Sequence, residues 1–143
     1  MINRATFYYH FEDIYDLLEK VLSEVLLVNL ASAEYQDNKL NEETLVKIFI
    51  AITNFQKSLS SRCHRGYEET IARIIREQLQ IIFYNMLLEQ CPTEDKQALH
   101  VTAVMLSWGI YGASVEWRKS NREVQPETYI KSAIPLITLL DRD

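Results

Sequence analysis

Residues 101–115 read VTAVMLSWGIYGASV, and within them Val101, Val104, Met105, Trp108, Tyr111, Gly112 and Val115 recur at intervals of three and four. That spacing lines them up along one side of an α-helix, with the best apolar periodicity in the chain. The helix is expected over about Glu94 to Lys119. Gly109, Gly112 and Ala113 lower its intrinsic propensity, yet they let a second helix approach closely.

Working outward, the same helical signal repeats. With three glycines and three prolines in 143 residues, the chain lacks the punctuation that many short strands need. Ile14, Leu17, Leu18, Val21, Leu22 and Val25 give one helical face, which fades near Glu34. Asn41, with Glu42 and Glu43 behind it, starts a second helix: its side-chain oxygen can cap, and carboxylates suit the positive helix end. Leu45, Ile48, Phe49, Ile52, Phe55 and Leu59 form the stripe of that helix. Residues 60–66 lack apolar periodicity, end in Gly66 and read as a loop. From Tyr67 to Glu89 the apolar residues spread nearly all round, above all between Leu79 and Leu88, as expected of a central helix wrapped by its neighbours. Pro92 ends it, and Thr93 is the next capping candidate. A last helix opens at Pro126, a good first-turn residue, and carries Ile130, Ala133, Ile134, Ile137 and Leu140. Pro135 inside it should kink it or spoil its hydrogen bonding locally. The expected fold is all-α, a helical bundle of about five long helices.

Composition narrows the function. A chain of this length that is 48% hydrophobic suits one domain with one core. Fifteen Lys and Arg stand against 20 Asp and Glu, a net charge of −5 that by itself argues against polyanion binding. No apolar run reaches membrane-spanning length, so no membrane partner and a cytoplasmic location are expected. Cys63 and Cys91 are far apart and fit neither a disulfide framework nor a thiolate metal site; both read as reduced thiols. Cys63 and His64, with His100 and Cys91 elsewhere, match no compact ligand pattern. No phosphate loop, nucleophile elbow or convergent acid–base pair appears, so neither catalysis nor a cofactor or metal is indicated. Arg62, Arg65, Arg73 and Arg76 are offset by Glu68, Glu69 and Glu77 and read as a solvated surface.

The segment Phe7-Tyr8-Tyr9-His10-Phe11 packs four aromatics and a histidine into five positions. Asn3 can cap a short helix from Arg4 to about Phe11, with Glu12 and Asp13 turning into the helix from Ile14. Polar groups at the start of such a helix can reach base edges, while phenol and imidazole groups further along can bond phosphates. Phe7 and Phe11, one turn apart, form its buried side.

NRATFYYHFEDIYDLL, residues 3–18, resembles the signature of TetR-type transcriptional regulators, in which a recognition helix ends in an aromatic-aromatic-His-Phe run and leads into a long connecting helix. The resemblance implies a remnant helix-turn-helix over 1–13, and a helical ligand-binding and dimerisation domain over 14–143. It places Asn3 at the cap, Arg4 and Thr6 at base-reading or phosphate positions, and Tyr8, Tyr9 and His10 facing phosphates. It further implies a homodimer that binds operator DNA in its intact form and is controlled by an unidentified small-molecule inducer, the helix from Ile14 acting as lever. Family members carry two helices ahead of this motif, so the expectation is an N-terminally truncated regulator. The family also usually places Lys where Ile14 stands, and Glu12 and Asp13 precede it; losing that cation weakens attraction to phosphate.

Within the body, Phe55, Gln78, Phe83, Tyr84, Trp108 and Tyr111 are the candidates for lining a ligand pocket, because they combine apolar bodies with a few polar tips. Val104, Trp108, Gly112, Val115, Ile130, Ile134 and Ile137, on the last two helices, are the candidates for pairing with the same helices of a second subunit. The competing reading is a helical ligand-binding or dimerisation module that does not bind DNA.

Overall fold

The computed structural model describes residues 17, 20, 21, 23, 24, 26, 27, 39–59, 61–120 and 123–138. Among them it is all-α, with four helices and no strand, where about five long helices were expected. The fifth is the one expected from Ile14, of which seven helical residues between 17 and 27 are described. Leu26 there is buried in the core, whereas Leu17 and Val21 face outward; Ile14, Leu18, Leu22 and Val25 of the expected stripe lie outside the described residues.

Helix α1 (Glu42–Ser58) starts where local chemistry dictates. The Asn41 side chain accepts the Thr44 N–H at 2.9 Å, and the Thr44 hydroxyl donates to the Lys39 carbonyl at 2.6 Å. Caps of this kind contribute about 1 kcal/mol. Glu42 and Glu43 occupy the first turn and Lys57 the last, each on the favourable end of the helix dipole.

Helix α2 (Ser61–Gln90) corrects the loop expected over 60–66, since residues 61–66 are helical. The break lies instead at Tyr67, directly after Gly66, where φ −132° and ψ 27° leave the helical region. Absent apolar periodicity had argued for a loop, but a single polar turn-and-a-half of helix needs no stripe of its own. The residues 91–94 form the turn that follows, closed by the Glu94 N–H donating to the Cys91 carbonyl at 3.2 Å.

Helix α3 (Lys96–Ser120) is therefore capped by Asp95, and not by Thr93. The Asp95 carboxylate accepts from the Gln97 N–H at 3.3 Å, and its carbonyl from the Leu99 N–H at 3.1 Å. Helix α4 (Pro126–Thr138) opens on Pro126 as expected and runs on past Pro135.

The elements pack as a bundle in which α2 and α3 make the most extensive contact, and α1 lies against α4 and α3. The central helix is α1 and not α2. Val46, Ile48, Phe49, Ala51, Ile52, Thr53, Phe55 and Gln56 are all buried, a spread that covers most of its circumference. On α2 the buried set is one-sided, with Ile71, Ile74, Ile75, Leu79, Phe83 and Met86 inside while Ile81 and Asn85 are exposed. Thr53 and Gln56 disguise the central role of α1. They are polar, yet Thr53 donates to the Ile50 carbonyl at 2.9 Å and Gln56 Nε2 to Ser114 Oγ at 3.3 Å, which offsets the burial of the hydroxyl and of the amide nitrogen. Phe49 meets Tyr129 with ring centroids 6.0 Å apart, joining α1 to α4. Trp117 Nε1 donates to the Val124 carbonyl at 2.8 Å and fixes the end of α3 to the turn before α4.

Candidate subunit interface

The helix from Lys96 to Ser120 has two apolar rows. Leu99, Ala103, Ser107, Ile110, Ser114 and Trp117 are buried, and at about 100° per residue they share one side. Small side chains dominate the middle of that row and let α3 lie close to its neighbours. The two hydroxyls are satisfied: Ser107 donates to the Val104 carbonyl at 2.8 Å, and Ser114 to the Tyr111 carbonyl at 2.6 Å while accepting from Gln56.

The second row, Val101, Met105, Trp108 and Gly112, lies on the opposite side and faces outward. Val101 is 48% exposed, Met105 69% and Trp108 55%. The stripe with the best periodicity in the sequence is thus an exterior one, and Trp108 is not a core residue. No charged residue of α3 falls between His100 and Glu116, and the charge that reaches this face comes from Arg76 on α2.

Trp108 has a defined neighbour. The guanidinium carbon of Arg76 lies 3.6 Å from the centre of the indole ring and 5.8 Å from that of Tyr111. Arg76 Nε donates to the Ala72 carbonyl at 3.2 Å, one turn back on α2, which fixes the direction of the fork. Among the described residues Arg76 pairs with no carboxylate; its charge rests on aromatic faces, a contact of about 0.5–2 kcal/mol. Burial raises the Tyr111 phenol above its ordinary value, with Arg118 and Arg76 opposing that shift.

The glycines belong to the same outer surface. A Cβ built at Gly109 or at Gly112 would meet nothing within 4 Å. Packing inside the chain therefore does not call for glycine at either position, although each costs the helix about 0.5–1 kcal/mol relative to alanine.

The expected interface residues divide. Trp108, Gly112 and Ile137 are exposed, and Val104 and Val115 half-buried. Ile130 and Ile134 are each only 4% exposed, which corrects their assignment to a partner-facing surface. Four residues apart on α4, they form its inward row beside Tyr129, and they close on the subunit's own core.

The expected ligand residues do not converge. Phe55 and Phe83 are fully buried in the core; Gln78, Tyr84 and Tyr111 are half-buried; Trp108 is outside. Trp108 and Tyr111 share Arg76, while Tyr84 stands edge-on to His100 with centroids 6.5 Å apart. An open cleft of about 660 Å³ lies elsewhere, between the start of α1 and α4, with Val46 and Ile50 in its lining. The ion pairs Lys47–Glu43 at 3.1 Å and Lys131–Glu127 at 2.8 Å flank it. None of the six expected residues lines it. Its one signal in the sequence is the Asn41-Glu42-Glu43 start of α1, whose residue types point to a cap and not to a cleft.

Asn3, Arg4, Thr6, Tyr8, Tyr9 and His10 lie outside the described residues, as do the side chains of Cys63 and His64. Cys91 is a half-buried free thiol. By length and composition α3 is, among the described residues, the one helix that could cross a membrane. The core helix of a bundle passes the same test, and here the inner row of α3 rests against α2. Comparison with protein-family models, curated proteins and solved structures gives no match, so the residues and their geometry carry the functional reading.

Proposed function

We propose that this chain is a homodimeric transcriptional regulator of the TetR type, whose binding to operator DNA is controlled by a small-molecule ligand. The observation that carries the DNA half is the run NRATFYYHFEDIYDLL, which offers Asn3 as cap, Arg4 and Thr6 to bases or phosphate, and Tyr8, Tyr9 and His10 to phosphates. Supporting the dimer half is the uncharged outer row of α3, because an exterior row of Val101, Met105 and Trp108 is more apolar than a solvated helix face needs to be. A two-fold dimer presents two reading segments, and a ligand that changes their separation releases DNA. The net charge of −5 places the burden of phosphate attraction on a few local groups, so binding should fall steeply with salt.

A gel shift with DNA upstream of the protein's own gene, at low salt, tests this reading. Retardation that is lost in Arg4→Ala and weakens as salt rises is the expected result. A second reading, favoured by Glu12, Asp13 and Ile14 where a cation would help, is a helical ligand-binding or dimerisation module that does not bind DNA. Dimers that bind no DNA at any salt concentration would select it. Ligand control is tested by thermal shift against a small-molecule panel, since a compound that binds only the folded state raises its stability.

A further inference from the structure

Resting on the dimer reading above, we infer that Trp108, held in place by Arg76, is the anchor of a self-complementary contact and seats over Gly112 of a second copy of this chain. The outer row of α3 carries both halves of such a contact. Trp108 is a large, half-exposed projection, and Gly112, one turn away on the same side, is an open position where even a Cβ would touch nothing. A two-fold axis passing between them brings each projection onto the other copy's open position, as an isologous interface requires. A heterologous partner would need only one of the two features.

The surface is of the right kind and size. Val101, Met105 and Trp108 leave roughly 350 Å² of side-chain surface in water, as much as the largest patch on a typical monomer. The half-buried Val104 and Val115 and the open glycines extend it towards ~500 Å² per subunit, or ~1,000 Å² across a two-fold axis, the lower limit for a specific interface. The absence of charged residues on α3 from Val101 to Val115 matters equally, since α3 then adds no like-charge repulsion to that between the two Arg76 guanidiniums.

Arg76 supplies what exposure alone lacks, a fixed direction. A tryptophan on an open helix face samples several rotamers, and ordering it on association costs affinity. Here the guanidinium covers one face of the indole at 3.6 Å and is itself tied to the backbone of α2 through Ala72. The other side of the ring stays free for the second copy. Arg76 is thus a positioning residue acting through Trp108. A lysine in its place keeps the charge but loses the flat stack.

The test is sedimentation equilibrium of the whole chain and its variants, with urea titration at low protein concentration to confirm that each variant folds. Trp108→Ala and Gly112→Leu should each raise the dimer dissociation constant about thirty-fold or more. Arg76→Ala should raise it about five-fold, Arg76→Lys should rescue only part of that loss, and Arg76→Ala should add nothing in the Trp108→Ala background. Near-ultraviolet circular dichroism of the Trp108 indole should weaken in Arg76→Ala. If Trp108→Ala and Gly112→Leu disrupt the dimer while Arg76→Ala leaves both the dissociation constant and the indole signal unchanged, the inference about Arg76 fails and the dimer reading stands. If Trp108→Ala and Gly112→Leu both dimerise like the unaltered chain, or if that chain is a monomer, the α3 contact itself is refuted.

Discussion

The inner row of α3 is built from Ala103, Ser107, Ile110 and Ser114, and the outer row from Val101, Met105, Trp108 and Gly112. Between Leu99 and Trp117, the buried residues that bound the inner row, the bulkier and more apolar side chains are on the outside. Inside, small residues allow close approach and hydroxyls close their own hydrogen bonds on the Val104 and Tyr111 carbonyls. Outside, a tryptophan is propped by an arginine beside glycines that nothing in the chain crowds. Close packing within a subunit accounts for one row, while the other is exposed and is the row proposed to meet a second copy.

The sharpest way to break this contrast is to delete a large side chain from each row. Ile110→Ala, on the inner row, should destabilise the fold by about 2–5 kcal/mol, seen as a lower urea midpoint at every protein concentration. Trp108→Ala should cost the monomer at low concentration only its stack on Arg76, about 0.5–2 kcal/mol, and should lower the urea midpoint further where the unaltered chain dimerises. A comparable loss in both variants at low concentration would mean that the two rows serve the same core.

A smaller effect sharpens the same point at Gly112. Because a Cβ there has open space, Gly112→Ala should stabilise the isolated subunit by about 0.5–1 kcal/mol through helix propensity alone, read from the thermal midpoint at low concentration. Destabilisation would show that the glycine is required inside the chain.

The smallest effect concerns Tyr111, between the two rows and beside Arg76. Burial raises its folded value above the ordinary 10.0. Between those two values the unfolded chain has released a proton that the folded chain still holds, so stability falls as pH rises through that window, having been fully present below it. Lys131, raised by its hydrogen bond to Glu127, acts in the same direction, weakly because the pair is exposed. Tyr111→Phe should therefore lose less stability than the unaltered chain in alkaline urea titrations; an identical alkaline loss would remove the phenol from the account.

What was legible in the sequence follows the range of the forces involved. Asn41 and Pro126 were readable as helix starts because a capping oxygen and a fixed φ act within one turn. The apolar period of residues 101–115 was readable too, but the partner-facing direction expected for Trp108 and Gly112 came from the family resemblance and not from the period. A period says which residues share a side, while which side faces the core depends on helices far away in sequence. The same limit misplaced Ile130 and Ile134, whose spacing suits a partner or the core of their own subunit equally well. Thr53 and Gln56 hid the central position of α1 because their burial relies on the Ile50 carbonyl and on Ser114, the latter 58 residues away from Gln56. Residues 61–66 escaped as helix because nothing apolar marks them, and the cap moved from Thr93 to Asp95 because the turn after Cys91 uses up residues 91–94. Of the candidate site, Trp108 and Gly112 could be picked out as types and spacing; the Arg76 stack, which joins residues 32 positions apart, could not.

The most direct trial of the central claim, that the outer row of α3 is a subunit interface, is sedimentation equilibrium of the unaltered chain over roughly a hundred-fold range of concentration, beside Trp108→Ala. The account predicts a dimer that dissociates on dilution, and a variant that stays folded but monomeric across most of that range. An unaltered chain that is monomeric throughout, or a variant whose dimer is as tight as the original, would contradict it.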